Sequence, residues 1–121
     1  MFLAASNKAR RLLHLSYIAH VDSADLQRGY DDVMALLADL PAGFAMLVDL
    51  DRLESMDIAC VEELGKMMEL LDRRGLEQVV RVIPDPAKDI GFNILSRFHY
   101  HHNLRTTNCQ TMTEAAKLLS L

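Results

Sequence analysis

The feature that most constrains this chain is a short apolar run that ends abruptly at acidic residues. Residues 44–48 carry no polar side chain, and the run stops at Asp49. After a short polar loop, a helical pattern begins at Asp57. A continuous apolar run of this length is typical of a buried strand in a parallel sheet. Loops that follow such strands lie at the edge where α/β domains usually place their binding surfaces.

Strand and helix patterns alternate along the rest of the chain. The predicted strands are residues 2–6, 12–21, 44–48, 78–83 and 104–109, the last as an edge strand. The predicted helices begin near Asp22, Asp57, Pro86 and Thr111. The order β-β-α-β-α-β-α-β-α predicts an α/β fold with a mixed, mostly parallel sheet of about five strands and four helices, in which the first hairpin supplies the antiparallel pair.

Several helices have local signals for their starts and buried faces. Asp22 with Asp25, and Thr111 with Glu114, have the spacing of capping boxes. The helix that starts at Asp57 is predicted to bury Val61, Leu64, Met67, Met68 and Leu71. The helix over residues 87–98 is predicted to bury Ile90, Ile94, Leu95 and Phe98, with Gly91 as a weak point.

Composition limits the classes of protein that the chain can represent. Its 121 residues predict one domain, residues 1–121, with a core of its own. A net charge of −4 gives no electrostatic footprint for nucleic acid, and no apolar run has the length of a membrane span. Cys60 and Cys109 match no metal-ligand spacing, so they are predicted to be reduced, buried thiols in a cytoplasmic protein. We expect no metal and no cofactor.

One segment together with two later motifs carries a family resemblance. Residues 48–61 read VDLDRLESMDIACV, residues 82–86 read VIPDP, and the last helix begins with Thr-x-x-Glu-Ala-Ala. In this order they resemble the STAS family, named for sulfate transporters and anti-sigma-factor antagonists, over nearly the whole chain. Asp49, Leu50 and Asp57 fall on the positions of the family's Asp-Leu-Ser and later Asp.

The resemblance implies a STAS-like single domain that works as a non-enzymatic regulatory or scaffolding module. Its partner would be a protein, either an anti-sigma-type kinase or another signalling protein. The implied docking segment is the loop and helix start at 51–60, with Asp51, Glu54, Ser55, Met56, Asp57, Ile58, Ala59 and Cys60. Family members carry the phosphorylated Ser or Thr at the position of Ala59, which has no hydroxyl group to accept phosphate.

Two other functions stay open at the level of sequence, as does assembly into a homo-oligomer. Seven methionines suggest a module that binds a small molecule or lipid between sheet and helices, although methionines are more often ordinary core residues. Asp49 and Asp51 suggest a metal-dependent phosphotransferase, but the residues favour a loop carboxylate that accepts backbone hydrogen bonds. His14 and His20, and His99, His101 and His102 near a helix end, are predicted to be exposed side chains without metal.

Overall fold

The computed structural model describes residues 1–89, 91–102 and 104–121, and of residues 88, 89, 93, 94 and 98 it describes the backbone only. The predicted burial of Ile90, Ile94 and Phe98 therefore lies outside the described part. The strands are β1 (Phe2–Asn7), β2 (Leu12–Tyr17), β3 (Ala19–Val21), β4 (Ala45–Asp49), β5 (Leu53–Met56), β6 (Gln78–Val82) and β7 (Arg105–Cys109). The α-helices are α1 (Ser23–Leu37), α2 (Cys60–Arg73), α3 (Phe92–His99) and α4 (Met112–Leu118).

The main sheet has five strands in the order β1-β2-β4-β6-β7. β1 and β2 pair antiparallel, whereas β2 with β4, β4 with β6 and β6 with β7 pair in parallel. β7 lies at the edge, as predicted. The arrangement confirms the predicted α/β fold with a mixed, mostly parallel sheet of about five strands, in which β1 and β2 form the predicted antiparallel pair.

Two helix starts have the capping interactions that their sequences predict. The Asp22 carboxylate accepts a hydrogen bond from the backbone N–H of Asp25 at 2.8 Å, and the Asp25 carboxylate accepts one from the N–H of Asp22 at 3.1 Å. At α4, the hydroxyl oxygen of Thr111 accepts from the N–H of Glu114 at 3.1 Å. Side chains three residues apart can satisfy these backbone donors without help from the rest of the fold.

The main sheet separates two apolar clusters of unequal size. α1, α2 and α3 cover one face, where the larger cluster includes Leu15, Val48 and Val79 of three neighbouring strands. α4 covers the other face, where the smaller cluster consists of Leu12, Leu47, Val80, Val82, Cys109 and Ala115. Among the helices that the structure describes, none is long and apolar enough to cross a membrane.

The predicted strand 12–21 is divided in two. β2 ends at Tyr17, and Ala19 has a φ of 56°, in the left-handed region that alanine rarely adopts. The chain therefore turns away from the main sheet, and β3 pairs in parallel with β5 in a separate two-stranded sheet. The prediction of one continuous strand was therefore wrong. An alanine gives no signal in the sequence for a left-handed turn, so the break could not be predicted.

The predicted third helix is also divided. A 3₁₀ turn covers Pro86–Asp89, and α3 begins only at Phe92, after Gly91 with a φ of 80°. Glycine adopts this conformation at no steric cost. Gly91, which was predicted to be a weak point of the helix, therefore lies at the break. Leu95 was predicted to be buried, and it packs half-buried against the larger cluster of the core.

Candidate functional site

The segment between β4 and α2 begins with a turn that its first aspartate stabilises. The Asp49 carboxylate accepts a hydrogen bond from the backbone N–H of Asp51 at 2.9 Å. Leu50 is fully buried, and its N–H donates to the carbonyl of Val82 at 3.0 Å. The chain is thus tied to the end of β6 immediately after β4, and Asp49 has the role of a loop carboxylate.

The middle of the segment is a strand, although the sequence predicted a loop throughout. β5 pairs with β3 in the register Ala19 to Leu53, His20 to Ser55 and Val21 to Met56. Leu53 is fully buried, whereas Glu54 and Ser55 are exposed. β5 has only four residues, and only Leu53 is fully buried, so the sequence shows no alternation from which a strand could be predicted.

The pairing of β3 with β5 brings together a histidine, a serine and an aspartate. His20 Nδ1 lies 2.7 Å from Ser55 Oγ, and His20 Nε2 lies 3.0 Å from Asp57 Oδ1. All three side chains are at the surface. His20 is exposed, as predicted, and its contacts with Ser55 and Asp57 connect β3 with β5 and with the approach to α2.

This contact changes how α2 begins. Asp57 was predicted to cap the helix, but its carboxylate pairs with His20 and the N-cap position is Ala59, which makes no side-chain capping bond. The first backbone bonds run from the N–H of Cys60 to the Asp57 carbonyl at 2.9 Å and from Val61 to Ile58 at 3.1 Å. A tight turn over residues 57–61 therefore replaces the predicted cap.

One residue of the predicted docking segment points inward. Cys60 is fully buried, and its thiol donates to the carbonyl of Val21 at 3.5 Å. Burial raises the pKa of the Cys60 thiol, with nearby Asp57 contributing in the same direction. Cys60 therefore does not lie at the surface, contrary to its place in the predicted docking segment. Burial also raises the pKa of the Cys109 thiol, and both cysteines are free and buried, as predicted.

The remaining predicted residues lie together at the surface. We name this surface the β5–α2 edge and define it by Asp51, Glu54, Ser55, Met56, Asp57, Ile58 and Ala59. The Ile58 side chain is 90% exposed, and Val61 in the first turn of α2 is 46% exposed, contrary to its predicted burial. Met56 is half-buried. The edge therefore presents an isoleucine beside several carboxylates, and Val61 adjoins it.

The later histidines contact α2, and the prediction that all three are exposed holds only in part. His99 is partly buried, and its Nδ1 lies 3.0 Å from Glu69 Oε1. His102 Nδ1 lies 3.0 Å from Asp72 Oδ1. His101 is exposed, and its Nε2 lies 3.8 Å from Glu69. The hydrogen bond from His99 lowers the pKa of Glu69.

Asp72 is a buried carboxylate at the same contact between α2 and the chain after α3. Burial by itself would raise the pKa of Asp72, but hydrogen bonds from the His102 ring and from the backbone of His101 and His102 outweigh it, and the pKa is lowered. These pairs connect residues 30 positions apart, so spacing along the sequence could not reveal them.

The structure also describes the regions of the two alternative functions, a metal-dependent phosphotransferase and a module that binds a small molecule or lipid. Within the described ranges, no three His, Cys, Asp or Glu side chains converge as metal ligands. The space between sheet and helices that Met46, Met67 and Met68 line has a volume of about 20 Å³, roughly the volume that one water molecule needs. A small molecule or lipid would have to displace these side chains to enter.

Comparisons with known proteins agree on the fold. No protein-family model matches the sequence, and no curated protein matches it significantly. The anti-sigma factor antagonist SpoIIAA in its unphosphorylated form superposes with a TM-score of 0.66 and 16% identity, over 99% of this chain and 98% of SpoIIAA. The Bacillus cell fate determinant SpoIIAA in its phosphorylated form gives 0.67 and 14%, over 98% and 99%.

A third structure is more similar in backbone and less similar in sequence. An uncharacterised protein of the DUF3478 family from Shewanella loihica PV-4, with a SpoIIAA-like fold, gives a TM-score of 0.74 at 10% identity, over 98% of this chain and 92% of that protein. The chain therefore has the STAS-like fold of SpoIIAA, as the sequence resemblance predicted.

Proposed function

We propose that this protein is a non-enzymatic regulatory or scaffolding module of the STAS type that binds a protein partner through the β5–α2 edge. The observation that carries the proposal is Ile58, whose side chain is 90% exposed at the entrance to α2. Transfer of an isoleucine side chain from water to an apolar contact stabilises a complex by roughly 1.5–3 kcal/mol. Val61, one turn away, extends the apolar surface.

The charges around Ile58 describe the partner that the edge fits. Asp51, Glu54 and Asp57 are exposed carboxylates, and Arg52 is the exposed basic residue among them. Complementary charge increases the rate of encounter and selects among partners. We therefore expect a protein that offers an apolar pocket surrounded by mainly basic side chains.

The module would work without a phosphorylation switch at the helix entrance. Ala59 has no hydroxyl group, and the nearby Ser55 hydroxyl is engaged with His20 at 2.7 Å. In SpoIIAA, both a phosphorylated and an unphosphorylated form have been described. A phosphate would add a charge of about −1.5 to −2, so the methyl group of Ala59 would keep the edge in one electrostatic state.

Binding suits this surface better than catalysis does. Asp49, the strongest candidate for a nucleophile, accepts a hydrogen bond from the backbone of its own turn. Two free, buried cysteines fit a reducing compartment, and we expect the protein to act in the cytoplasm. If the protein forms a homo-oligomer through this edge, the crosslinking experiment below would capture a second copy of the chain.

The experiment has a capture step and a measurement step. A photo-crosslinking amino acid replaces Ile58 in the native cell, and the same residue replaces Met34, which is 38% exposed on α1, as the matched control. A protein that crosslinks only through position 58 is then purified. Its affinity is measured for wild type, Ile58→Asp, Ala59→Glu and Met34→Asp.

We expect Ile58→Asp to weaken binding by at least about tenfold, equivalent to about 1.4 kcal/mol, and Met34→Asp to leave the affinity unchanged. Ala59→Glu replaces the methyl group next to Ile58 with a longer side chain and should also weaken binding, because the added bulk separates the partner's apolar pocket from Ile58. Equal affinities for all four proteins, each folded by circular dichroism, would contradict the proposal.

A further inference from the structure

The serine, the histidine and the aspartate that meet where β3 pairs with β5 have a chemistry of their own. His20 Nδ1 lies 2.7 Å from Ser55 Oγ, and His20 Nε2 lies 3.0 Å from Asp57 Oδ1. All three residues are exposed. The Ser55 hydroxyl is therefore within reach of a molecule that arrives from solution.

The two contacts fix which nitrogen of His20 carries the proton when the imidazole is uncharged. An ionised carboxylate only accepts hydrogen bonds, so the N–H lies at Nε2 and faces Asp57. Nδ1 is then an acceptor, and the Ser55 hydroxyl donates to it. A serine that donates to an imidazole oriented by a carboxylate is arranged as an activated nucleophile, with the two ring nitrogens exchanged relative to the serine hydrolases.

Backbone pairing holds the three side chains together. β3 and β5 are parallel neighbours, and His20 is paired in register with Ser55. The backbone N–H of Asp57 donates to the Val21 carbonyl at 3.1 Å, so the residue that follows β5 is also tied to β3. The serine, the imidazole and the carboxylate are therefore positioned before any reactant arrives.

A second pair of a serine and a histidine, on β2, provides a comparison within the same chain. Ser16 Oγ lies 3.4 Å from His14 Nε2, a longer distance than the one between Ser55 and His20. Within the described part of the chain, no carboxylate contacts His14. Ser16 therefore lacks the oriented imidazole that Ser55 has, and it serves as an internal control.

The surroundings of Ser55 select the kind of reactant. Glu54 and Asp57 place negative charge on either side of the serine along the chain, which disfavours an anionic donor such as a phosphate ester. Ile58 is exposed nearby and offers an apolar contact. These features suit an uncharged ester or thioester that carries a small apolar acyl group and a good leaving group.

We propose that Ser55 is an acyl-acceptor site, with His20 as the general base and Asp57 as the positioning residue. Ser55 Oγ forms a bond to the carbonyl carbon of the donor, while its proton passes to His20 Nδ1. The bond from that carbon to the leaving group then breaks, and the leaving group departs with the electron pair and takes the proton from His20. The product is an ester on Ser55, so the protein itself is modified, and the proposal is independent of protein docking at the β5–α2 edge.

The test uses para-nitrophenyl butyrate as the donor at about pH 8, where an ordinary histidine is uncharged. Peptide mapping by mass spectrometry locates the butyryl group and gives the rate at which it appears at Ser55. The proteins are wild type, Ser55→Ala, His20→Gln and Asp57→Asn, with His14→Gln as the matched control that removes a different histidine. Circular dichroism verifies that each protein is folded.

We expect wild type and His14→Gln to form the ester on Ser55 at the same rate, and Ser16 to react at least about tenfold more slowly in both. His20→Gln should lower the rate at Ser55 about a hundredfold or more, as loss of a general base does. Ser55→Ala should carry no ester in the corresponding peptide.

The role of Asp57 is measured by the dependence of the rate on pH. In Asp57→Asn the reaction should be slower, and the rise of its rate with pH should move to lower pH, because the imidazolium has lost its anionic neighbour. A purely structural role would leave the position of that rise unchanged. If His20→Gln fails to fold, this profile decides. Absence of an ester on Ser55 in wild type, equal rates in His20→Gln and His14→Gln, or an unmoved profile in Asp57→Asn would overturn the proposal.

Discussion

Asp72 is a buried charged residue whose ionisation is linked to the stability of the fold. Its carboxylate is 6% exposed at the residue level and accepts hydrogen bonds from the His102 ring and from the backbone of His102. The pKa of Asp72 is lower in the folded protein than its ordinary value. A carboxyl group with a lowered folded pKa contributes stability that is fully present above the unfolded pKa, roughly 3.9, and is lost as the pH falls through the folded pKa.

Asp72→Asn should therefore reduce the free energy of unfolding at neutral pH by about 1–2 kcal/mol, because a charged hydrogen-bond acceptor is lost. The variant should also lose less stability than wild type when the pH falls below about 4. Urea denaturation at neutral and acidic pH measures both effects, with the exposed Asp31→Asn as control. A variant whose stability falls as steeply in acid as that of wild type would contradict this account.

For single residues, the number of positions between two contacting partners decided whether their contact could be predicted. Asp22 with Asp25 and Thr111 with Glu114 were found because each partner lies three residues away. The pair of His20 with Ser55 spans 35 positions and exists only because β3 pairs with β5. The predicted docking segment came from a resemblance that placed Cys60 at the surface, whereas the residue type of Cys60 had predicted the burial that the structure shows.

Among the helices and strands, the prediction most clearly corrected is which face of α2 is buried. Cys60, Leu64, Met67 and Leu71 are buried at helical spacing, whereas Val61 is 46% exposed. Either Cys60 or Val61 could have begun the buried stripe, since both precede Leu64 at a spacing that shares a helix face. Burial of Cys60 beneath β3 settled the choice, and the predicted burial of Val61 failed as a result.

This phase has a direct consequence for stability. Leu64→Ala should lower the free energy of unfolding by about 2–5 kcal/mol, because it leaves a cavity under α2. Val61→Ala should change it by less than about 0.5 kcal/mol, as surface substitutions usually do. Chemical denaturation of the two variants beside wild type provides the measurement. Similar costs for both would mean that α2 is rotated from the orientation described.

Breaks within elements were harder to predict than the elements themselves. Strands and helices have periodic patterns, so their order followed from the sequence. The break at Gly91 had a residue-level signal, because glycine tolerates its φ of 80°. The break at Ala19 had none, because alanine is an uncommon residue at a φ of 56°. The separation of β3 from β2 was missed for that reason, whereas β5 was missed because its burial pattern is short.

The whole molecule is a sheet whose two faces are covered very unequally. Three helices pack on one face, while the seven-residue α4 covers the other. Ala115 is fully buried and is the α4 residue at the centre of the smaller cluster with Leu47, Val80 and Val82. Because α4 is short and depends on this one contact surface, it should detach without unfolding the larger cluster.

Ala115→Asp tests this division. A carboxylate at a buried site without a partner is strongly unfavourable, so α4 should undock and leave Leu47, Val80 and Val82 exposed. We expect increased binding of a hydrophobic dye and fast amide exchange in α4, while amides of β4 and α2 remain protected. Ala116→Asp, one residue along the same helix and half-buried, is the control and should retain a docked α4. Loss of protection throughout the protein in Ala115→Asp would mean that the two faces fold as one unit, because the larger cluster would then depend on α4 for its own stability.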